Sequence, residues 1–138
     1  MVDFSVIIAT YNRADYLREC LNSLASQTHK NFETIIVDDG STDNTKDLIK
    51  SFPVKLLTQK HLGPAKARNL GAEQARGEIL VFIDADMTFD KEFISDLTDP
   101  IKKGIYKGTF SKNELIGNWA NVSPPVISYS QQRRYYYI

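Results

Sequence analysis

Cysteine is nearly absent from this sequence: Cys20 is the only one among 138 residues. A single cysteine excludes an internal disulfide and any metal site built from several cysteines, and it fits a reducing compartment. Leu17, Leu21 and Leu24 recur on the same helical stripe as Cys20. We therefore expect this cysteine to be buried in the core rather than to react as a thiol.

Net charge is missing as well, because 17 basic residues balance 17 acidic ones. A chain with no excess of positive charge has no overall field that would collect nucleic acid or an anionic membrane. We therefore predict that nucleic acid is not a partner. Any anionic ligand has to be held by a local site.

Long apolar runs are also absent, since none approaches the roughly 18 residues that a membrane span needs. The first residues have neither the basic start nor the small-residue cleavage pattern of a signal peptide. These absences predict a cytoplasmic domain, with membrane association left to a partner or to a region outside this sequence. The length of 138 residues is that of one domain.

Short apolar segments alternate four times with segments of helical periodicity. The predicted strands are 4–9, 32–37, 54–59 and 78–83, and a predicted helix follows each one. Connections this short favour a parallel sheet with right-handed crossovers. The sequence thus predicts an α/β fold, a three-layer α/β/α sandwich around an open and mostly parallel sheet, with ligands bound at the carboxyl ends of the strands.

Glycine and proline residues predict where two of the helices begin and end. Gly63 and Pro64 mark a helix start, because proline at the first helical position lacks only an N–H that has no partner there, and Gly77 predicts the end of that helix. Asp90 is predicted to cap the last helix, which Pro100 and Gly104 are predicted to end.

The chain after residue 110 follows no clear period. We divide the sequence into a core, 1–110, and a segment, 111–138, with a short strand and helix remnant followed by an irregular tail. Its QQRRY stretch partly resembles the QxxRW signature of processive polysaccharide synthases, but it follows the acidic loop too soon and has Tyr135 in place of tryptophan. A surface-exposed basic and aromatic tail is the preferred interpretation.

Two carboxylates, Asp84 and Asp86, follow the apolar run ILVFI. Like charges this close need a cation beside them, and Mg²⁺ or Mn²⁺ is commonly bound by one or two carboxylates completed by water and the phosphates of a nucleotide. Capping of a loop by the same carboxylates is the alternative. Both interpretations stay open on this motif alone.

Four further residues near predicted strand ends or a helix start allow ligand binding. Asp39 ends the second strand and can accept hydrogen bonds from a base or a ribose, although DDGS is also a good turn sequence. Lys66 and Arg68 lie at a predicted helix start, where they favour phosphate or simply form a solvated face. Tyr11 can stack on a base or pack against the core. His61 lacks metal-ligand spacing and receives no role.

Three segments, FSVIIATYNR, ETIIVDDGSTDNT and GPAKARNLGAEQARGEILVFIDAD, together resemble the nucleotide-binding half of the family 2 inverting glycosyltransferases. That family has the GT-A fold, and the resemblance covers about residues 4–110 with four motifs in the family's order and spacing. It implies that the nucleoside is held by Ala9, Tyr11 and Asp39, that the base and phosphates lie near Lys66 and Arg68, and that the DXD motif falls on Asp84 and Asp86. Asp84 then contacts both nucleotide and metal, and Asp86 is the implied direct metal ligand.

The resemblance also implies a reaction. A sugar would pass from a nucleoside-diphosphate sugar, a UDP-sugar rather than a GDP-sugar, to a hydroxyl of an unidentified glycan or lipid-linked acceptor, with inversion and with Mn²⁺ or Mg²⁺ as cofactor. The family takes its catalytic base from a later segment than this sequence contains. We therefore assign no catalytic residue and expect the general base to be absent from the chain.

Other functions are compatible with parts of the pattern. A truncated or non-catalytic module that binds a nucleotide sugar is favoured by the missing acceptor half. A phosphoacceptor receiver domain is disfavoured, because its acid pair follows the first strand, whereas here the pairs follow the second and fourth. A dinucleotide dehydrogenase is disfavoured because ATYNRA offers no glycine-rich loop. Self-association that covers an exposed sheet edge is also left open.

Overall fold

A computed structural model describes residues 2–109 and the strand 134–137. Strands and helices alternate as the sequence predicts, and the bounds of the four predicted strands agree with the structure to within one residue. The strands are β1 (Phe4–Thr10), β2 (Phe32–Asp38), β3 (Lys55–Thr58), β4 (Ile79–Asp84) and β5 (Arg134–Tyr137). The helices are α1 (Ala14–Ala25), α2 (Thr45–Lys50), α3 (Pro64–Glu73) and α4 (Phe93–Lys102).

The strands form one sheet in the order β3-β2-β1-β4-β5, and every pairing between them is parallel. The first strand is central, because Phe4 pairs with Phe32 on one side and with Ile79 on the other. The carboxyl ends of β1, β2 and β4 therefore meet at one edge of the sheet. The predicted α/β fold with an open parallel sheet is confirmed, and self-association over a sheet edge stays a prediction.

Helices cover both faces of the sheet. One face packs against α1, α2 and α4 through an apolar cluster that includes Ile8, Leu17, Ile49 and Ile94, all nearly or fully buried. The other face packs against α3 through a smaller cluster. Burial of each large aliphatic side chain contributes about 1.5–3 kcal/mol. These two apolar layers fix the three-layer architecture.

Cys20 lies inside the larger cluster, as predicted from its helical stripe. Its side chain is fully buried. Burial raises the pKa of the Cys20 thiol to about 12, and the negative charges of Asp86 and Asp84 add to the effect. The thiol also approaches the backbone carbonyl oxygen of Asp84, at 3.8 Å. This cysteine is thus a packing residue behind the loop that carries the acid pair.

Glycine at position 71 allows α3 to lie close against the sheet. A Cβ atom added there would lie 2.6 Å from Cγ2 of Ile7 and 3.3 Å from Cγ2 of Val37, closer than carbon atoms pack. A side chain at this position would push α3 away from β1 and β2. The close approach also fixes where the first turn of α3 lies relative to the strand ends.

The predicted ends of α3 and α4 differ from those in the structure. The third helix ends at Glu73, before the predicted stop at Gly77, and Gly77 instead packs against the backbone of Phe4, where a Cβ atom would clash. The fourth helix begins at Phe93, so Asp90 does not cap it, and it passes through Pro100 and ends at Lys102, two residues before Gly104. Proline near a helix end removes only one backbone hydrogen bond, which the apolar contacts of α4 offset.

The predicted irregular tail differs from the structure at residues 134–137, which form β5. This strand pairs with β4 from Ile79 opposite Arg134 to Phe82 opposite Tyr137. Tyrosine favours strands, but four residues are too short to show a period in the sequence. The predicted strand and helix remnant lies outside the described residues, and the division at residue 110 stays a prediction.

None of the helices in the described ranges has the length and hydropathy needed to cross a membrane. The cytoplasmic location stays a prediction.

Candidate functional site

A cleft of about 440 Å³ opens at the carboxyl ends of β1, β2 and β4. Its walls come from these three strand ends, from the loop before α3 and from the first turns of α3. The lining residues are Ala9, Thr10, Tyr11, Arg13, Asp39, His61, Gly63, Pro64, Arg68, Asp84, Ala85 and Asp86. All the predicted site residues except Lys66 therefore lie around one cleft. Lys66 is an exposed residue of α3 and is not among the lining residues.

Asp39 organises the loop that closes one side of the cleft. The residue is only 3% exposed. Its Oδ1 accepts hydrogen bonds from Nε2 of Gln59 at 2.6 Å and from the backbone N–H of Leu62 at 2.7 Å, and its Oδ2 accepts one from the N–H of Gly63 at 3.0 Å. Burial raises the pKa of this carboxyl, but these bonds and the nearby His61 outweigh burial, so that the pKa lies below its usual value. Asp39 is thus held as a carboxylate.

The two aspartates of the DDGS motif have different tasks. The carboxylate of Asp38 is fully buried, accepts hydrogen bonds from the N–H of Ser41 at 3.2 Å, and lies 3.5 Å from Nζ of Lys46. It therefore forms the turn, as the alternative interpretation of this motif expected of one aspartate. Asp39 then remains as the acid that lines the cleft.

Asn12 joins the loops after β1 and β2, a role that the sequence analysis missed. Its Oδ1 accepts a hydrogen bond from the N–H of Thr42 at 2.8 Å, and its own N–H donates to Oγ of Ser41 at 2.9 Å. The backbone φ of Asn12 is +50°, a left-handed conformation that asparagine tolerates better than most residues. An asparagine in the turn that follows the first strand was the available signal.

Tyr11 and His61 form a pair of rings at the cleft wall. Their ring centroids lie 4.1 Å apart with a tilt of 37°. Tyr11 is 40% exposed, so part of its ring is available to a ligand. Nδ1 of His61 lies 3.4 Å from Oδ2 of Asp39. Sequence spacing gave no signal for His61, because its position depends on the loop that Asp39 holds.

The acid pair lies on the opposite wall, where β4 ends. Asp84 and Asp86 are exposed and flank the buried Ala85. Oδ1 of Asp84 lies 2.7 Å from Nη2 of Arg68, and the two side chains are 52% and 28% exposed. Asp86 has no hydrogen bond or ion pair within the part of the chain that the structure describes. The structure thus places the predicted phosphate residue Arg68 directly on the predicted metal-binding loop.

The acid pair of the cleft offers carboxylate oxygens, which are ligands that Mg²⁺ and Mn²⁺ prefer. The residues in ranges 2–109 and 134–137 include no group of three or more His, Cys, Asp or Glu side chains placed to hold a metal ion. Two carboxylates alone do not complete an octahedral shell, so water and an anionic ligand would have to supply the remaining oxygens. This incomplete set is what a metal carried by a diphosphate requires.

Gln27 anchors the segment that follows the acid pair. This side chain is almost completely buried at the end of α1. Its Nε2 donates to the backbone oxygen of Asp90 at 2.7 Å, and its Oε1 accepts from the N–H of Ile94 at 2.9 Å. Thr28 adds a backbone hydrogen bond to the carbonyl oxygen of Lys91 at 2.9 Å. A buried amide needs hydrogen-bond partners. In the sequence, a glutamine near the end of a predicted helix was the only signal for this anchor.

A second cleft, of about 380 Å³, lies at the amino end of β2. Phe32, Phe52 and Val54 line it, and Lys30 and Lys55 are also part of its wall. None of the predicted site residues lies there. The strand-end cleft is therefore the candidate site.

Known proteins are similar to this chain in sequence. The model of glycosyl transferase family 2 matches residues 5–135. The chain is 41% identical over 104 residues to the poly(ribitol-phosphate) beta-N-acetylglucosaminyltransferase TarS of Staphylococcus aureus, a match that covers 70% of this chain and 18% of TarS. It is 46% identical over 94 residues to an uncharacterized glycosyltransferase of Rickettsia conorii, with 65% and 16% covered.

Two solved structures show the same fold. The crystal structure of S. aureus TarS 1-349 in complex with UDP-GlcNAc has a TM-score of 0.69 and 37% identity, and the match covers 74% of this chain and 32% of that one. The mannosyltransferase PcManGT from Pyrobaculum calidifontis, in complex with GDP-Man and Mn²⁺, has a TM-score of 0.65 and 28% identity, with 69% and 31% covered. The chain thus spans less than a fifth of the two relatives named above and about a third of these structures.

Proposed function

The chain belongs to glycosyl transferase family 2, and from this membership we propose that its cleft binds a nucleoside-diphosphate sugar, a UDP-sugar in preference to a GDP-sugar. The sugar would be transferred with inversion to a hydroxyl of a glycan or lipid-linked acceptor. One observation carries the proposal: an aromatic ring with a buried carboxylate and an Arg-acid cluster line the same cleft. These are the chemistries that a base and a diphosphate require.

The wall formed by Tyr11 and Asp39 would hold the nucleoside. The exposed part of the Tyr11 ring offers a stacking surface. Oδ2 of Asp39 accepts one backbone hydrogen bond and has Nδ1 of His61 at 3.4 Å, so the ring N–H of a uracil would bind it beside His61 or in its place. Ala9 lines the cleft beside them with a small side chain, which leaves room for the base or ribose.

The opposite wall would hold the diphosphate and its metal. Asp86 would bind Mn²⁺ or Mg²⁺ directly, and Asp84 would contribute to the metal and to the nucleotide. The bound metal would neutralise the charge that develops on the departing diphosphate. Arg68 can pair with phosphate oxygens from α3, whose first residues also line the cleft. Lys66, on the exposed part of the same helix, stays a predicted phosphate contact.

A chain that binds the donor without transferring it is the second candidate. Inverting transfer needs a base to take the proton of the acceptor hydroxyl. The carboxylates that line the cleft are Asp39, Asp84 and Asp86, and each is already assigned to the donor. Within the residues that the structure describes, no further carboxylate of the cleft is left for the base, and we propose none.

Calorimetric titration of UDP, with GDP as comparator, tests the proposal in the presence and absence of Mn²⁺. We expect saturable UDP binding that needs the metal and is lost in Asp86→Ala. The matched control is Asp47→Ala, which removes an 81% exposed carboxylate from α2, outside the cleft. Its UDP affinity should equal that of the unmodified chain.

Metal-independent UDP binding, or equal affinity in Asp86→Ala and Asp47→Ala, would contradict the assignment of the acid pair. Turnover separates the two candidates. Release of UDP from a UDP-sugar by this chain, lost in Asp86→Ala, would reject the purely binding module, whereas tight binding without any release would support it.

A further inference from the structure

We propose that Arg68 acts as an internal counter-cation that occupies the metal-binding carboxylate until the nucleotide arrives. In this role Arg68 couples metal binding to nucleotide binding. The inference rests on the proposed function and deepens it, because it concerns the order of events in the same cleft. It also makes a prediction for metal binding alone, which needs no nucleotide and no turnover.

The first observation is the contact itself. Nη2 of Arg68 lies 2.7 Å from Oδ1 of Asp84, within the range of a charge-assisted hydrogen bond. The Arg68 side chain is the more buried partner, at 28% exposure. A partly buried guanidinium fixed in this way occupies one of the two carboxylates that could bind a cation at the end of β4.

The second observation is the charge balance of the wall. Asp84 and Asp86 carry two negative charges and Arg68 carries one positive charge, so the three side chains together have a net charge of minus one. While the ion pair is closed, the positive charge of Arg68 lies beside the acid pair. A divalent cation bound to Asp86 would then be repelled by the nearby guanidinium. It would also have a single free carboxylate, fewer oxygens than Mn²⁺ or Mg²⁺ prefers. The closed pair therefore lowers the affinity for the metal alone.

A diphosphate removes both obstacles. Its oxygens offer a guanidinium a bidentate partner with more negative charge than one carboxylate has. Arg68 lies in the second turn of α3, and Gly63 and Pro64 at the helix start line the same cleft, so it can exchange Asp84 for phosphate with a rotation of its own side chain. Asp84 is then free for the metal that the diphosphate carries. Nucleotide and metal should consequently strengthen each other's binding by the same factor.

Manganese binding measured by electron paramagnetic resonance tests the inference without nucleotide, since the signal of free Mn²⁺ falls as the ion binds. The test variant is Arg68→Met, which keeps the length of the aliphatic stem and removes the charge. We expect this variant to bind Mn²⁺ more tightly than the unmodified chain, by between about threefold and thirtyfold. The matched control is Lys60→Met, which removes one exposed positive charge next to the loop of the cleft. Its Mn²⁺ affinity should change by less than about twofold.

The second measurement repeats the Mn²⁺ titrations with saturating UDP. In the unmodified chain UDP should tighten Mn²⁺ binding strongly, and in Arg68→Met the tightening should be smaller, because no ion pair has to open and no guanidinium contacts the diphosphate. Arg68→Lys should recover part of the coupling, since it keeps the charge and loses the fork of donors.

The outcomes are distinct for the two proposals. Equal Mn²⁺ affinity in Arg68→Met and the unmodified chain would overturn the counter-cation role, whether or not UDP binds. A tightening as large in Lys60→Met would overturn it too, because it would show a general charge effect. Tighter Mn²⁺ binding in Arg68→Met with no effect of UDP in any variant would leave the ion-pair competition intact and reject the nucleotide site. Failure of every variant to bind Mn²⁺, both without UDP and with saturating UDP, would overturn both.

Discussion

Replacing Asp39 with asparagine tests whether this one buried carboxylate holds the wall of the cleft. Asparagine has the same shape but carries an NH₂ group in place of one oxygen. If the remaining oxygen keeps the bonds from Gln59 and Leu62, the new NH₂ group faces the N–H of Gly63, and two donors oppose each other. No orientation of the amide satisfies all three donors.

The cost follows from these contacts. A buried donor left without an acceptor costs about 1–3 kcal/mol. The other two bonds change from charge-assisted to neutral and lose roughly half of their strength. We therefore expect Asp39→Asn to lower the free energy of unfolding by about 2–4 kcal/mol. In a domain of this size each kcal/mol lost from the free energy of unfolding lowers the melting temperature by about 4 °C.

The pH dependence gives an independent test. The pKa of Asp39 is below its usual value in the folded chain, because hydrogen bonds and His61 outweigh burial. A lowered folded pKa means that the carboxylate stabilises the fold above the unfolded pKa of about 3.9, and that this stabilisation is lost as the pH falls through the folded pKa. The difference in stability between the unmodified chain and Asp39→Asn should thus be largest at neutral pH and shrink on acidification.

Urea unfolding followed by far-ultraviolet circular dichroism measures both effects, at neutral pH and at about pH 3.5. Asp47→Asn is the matched control, because it makes the same chemical change at an exposed position, and its stability should stay within about 0.5 kcal/mol of the unmodified chain. Two results would refute the role given to this carboxylate. One is a loss of less than 1 kcal/mol of unfolding free energy in Asp39→Asn at neutral pH, and the other is a loss that is as large at about pH 3.5 as at neutral pH.

Three further predictions concern residues that support the site. Gly71→Ala should lower the free energy of unfolding by about 1–2 kcal/mol, because its Cβ would lie 2.6 Å from Cγ2 of Ile7, which outweighs the gain in helix propensity. Cys20, with its pKa raised to about 12, should react with Ellman's reagent at pH 8 only after unfolding. Gln27→Leu, which removes the donor to the carbonyl oxygen of Asp90 and the acceptor for the N–H of Ile94, should weaken Mn²⁺ binding in the presence of UDP relative to the unmodified chain.

Each of these has its own check. For Gly71, the control is Glu73→Ala, an exposed change on the same helix, whose free energy of unfolding in urea should equal that of the unmodified chain. A loss of stability in Glu73→Ala as large as in Gly71→Ala would contradict the packing argument for position 71. Rapid stoichiometric labelling of the folded chain would contradict the burial of Cys20. For Gln27, circular dichroism confirms that the leucine variant folds, and an Mn²⁺ affinity equal to that of the unmodified chain would exclude an anchoring role for the amide.

Most of the fold was predictable because the central strands are short apolar runs buried on both faces. Ile7 and Ile36 lie in such runs, and the runs placed β1 and β2 within one residue of their observed bounds. The strand β5 was not predictable, since Arg134–Tyr137 is only four residues long and pairs with a strand far away in the sequence. The end of α3 was misplaced because Gly77 is small for a packing reason that only the fold reveals.

The candidate site was predictable to the extent that its residues follow strand ends. Asp39, Asp84 and Asp86 come directly after or at the end of apolar runs, and parallel strands carry such residues to one edge. His61 escaped prediction, because a loop residue held by another side chain leaves no period in the sequence. Lys66 was grouped with Arg68 because both residues are basic. Two positions along a helix correspond to a rotation of about 200° around its axis, so Lys66 does not line the cleft as Arg68 does.

The central position of β1 also bears on how the chain acquires its structure during synthesis. The first of the described strands to be synthesised is β1, yet its hydrogen bonding is complete only when β4 pairs with its second side, where Ile79 lies opposite Phe4. Contacts this distant in sequence slow folding, because the chain between them must lose its freedom before they form. Until β4 has been made, β1 has an unpaired edge of apolar residues. The nascent chain is thus exposed to aggregation over the same interval in which the cleft lacks its acidic wall.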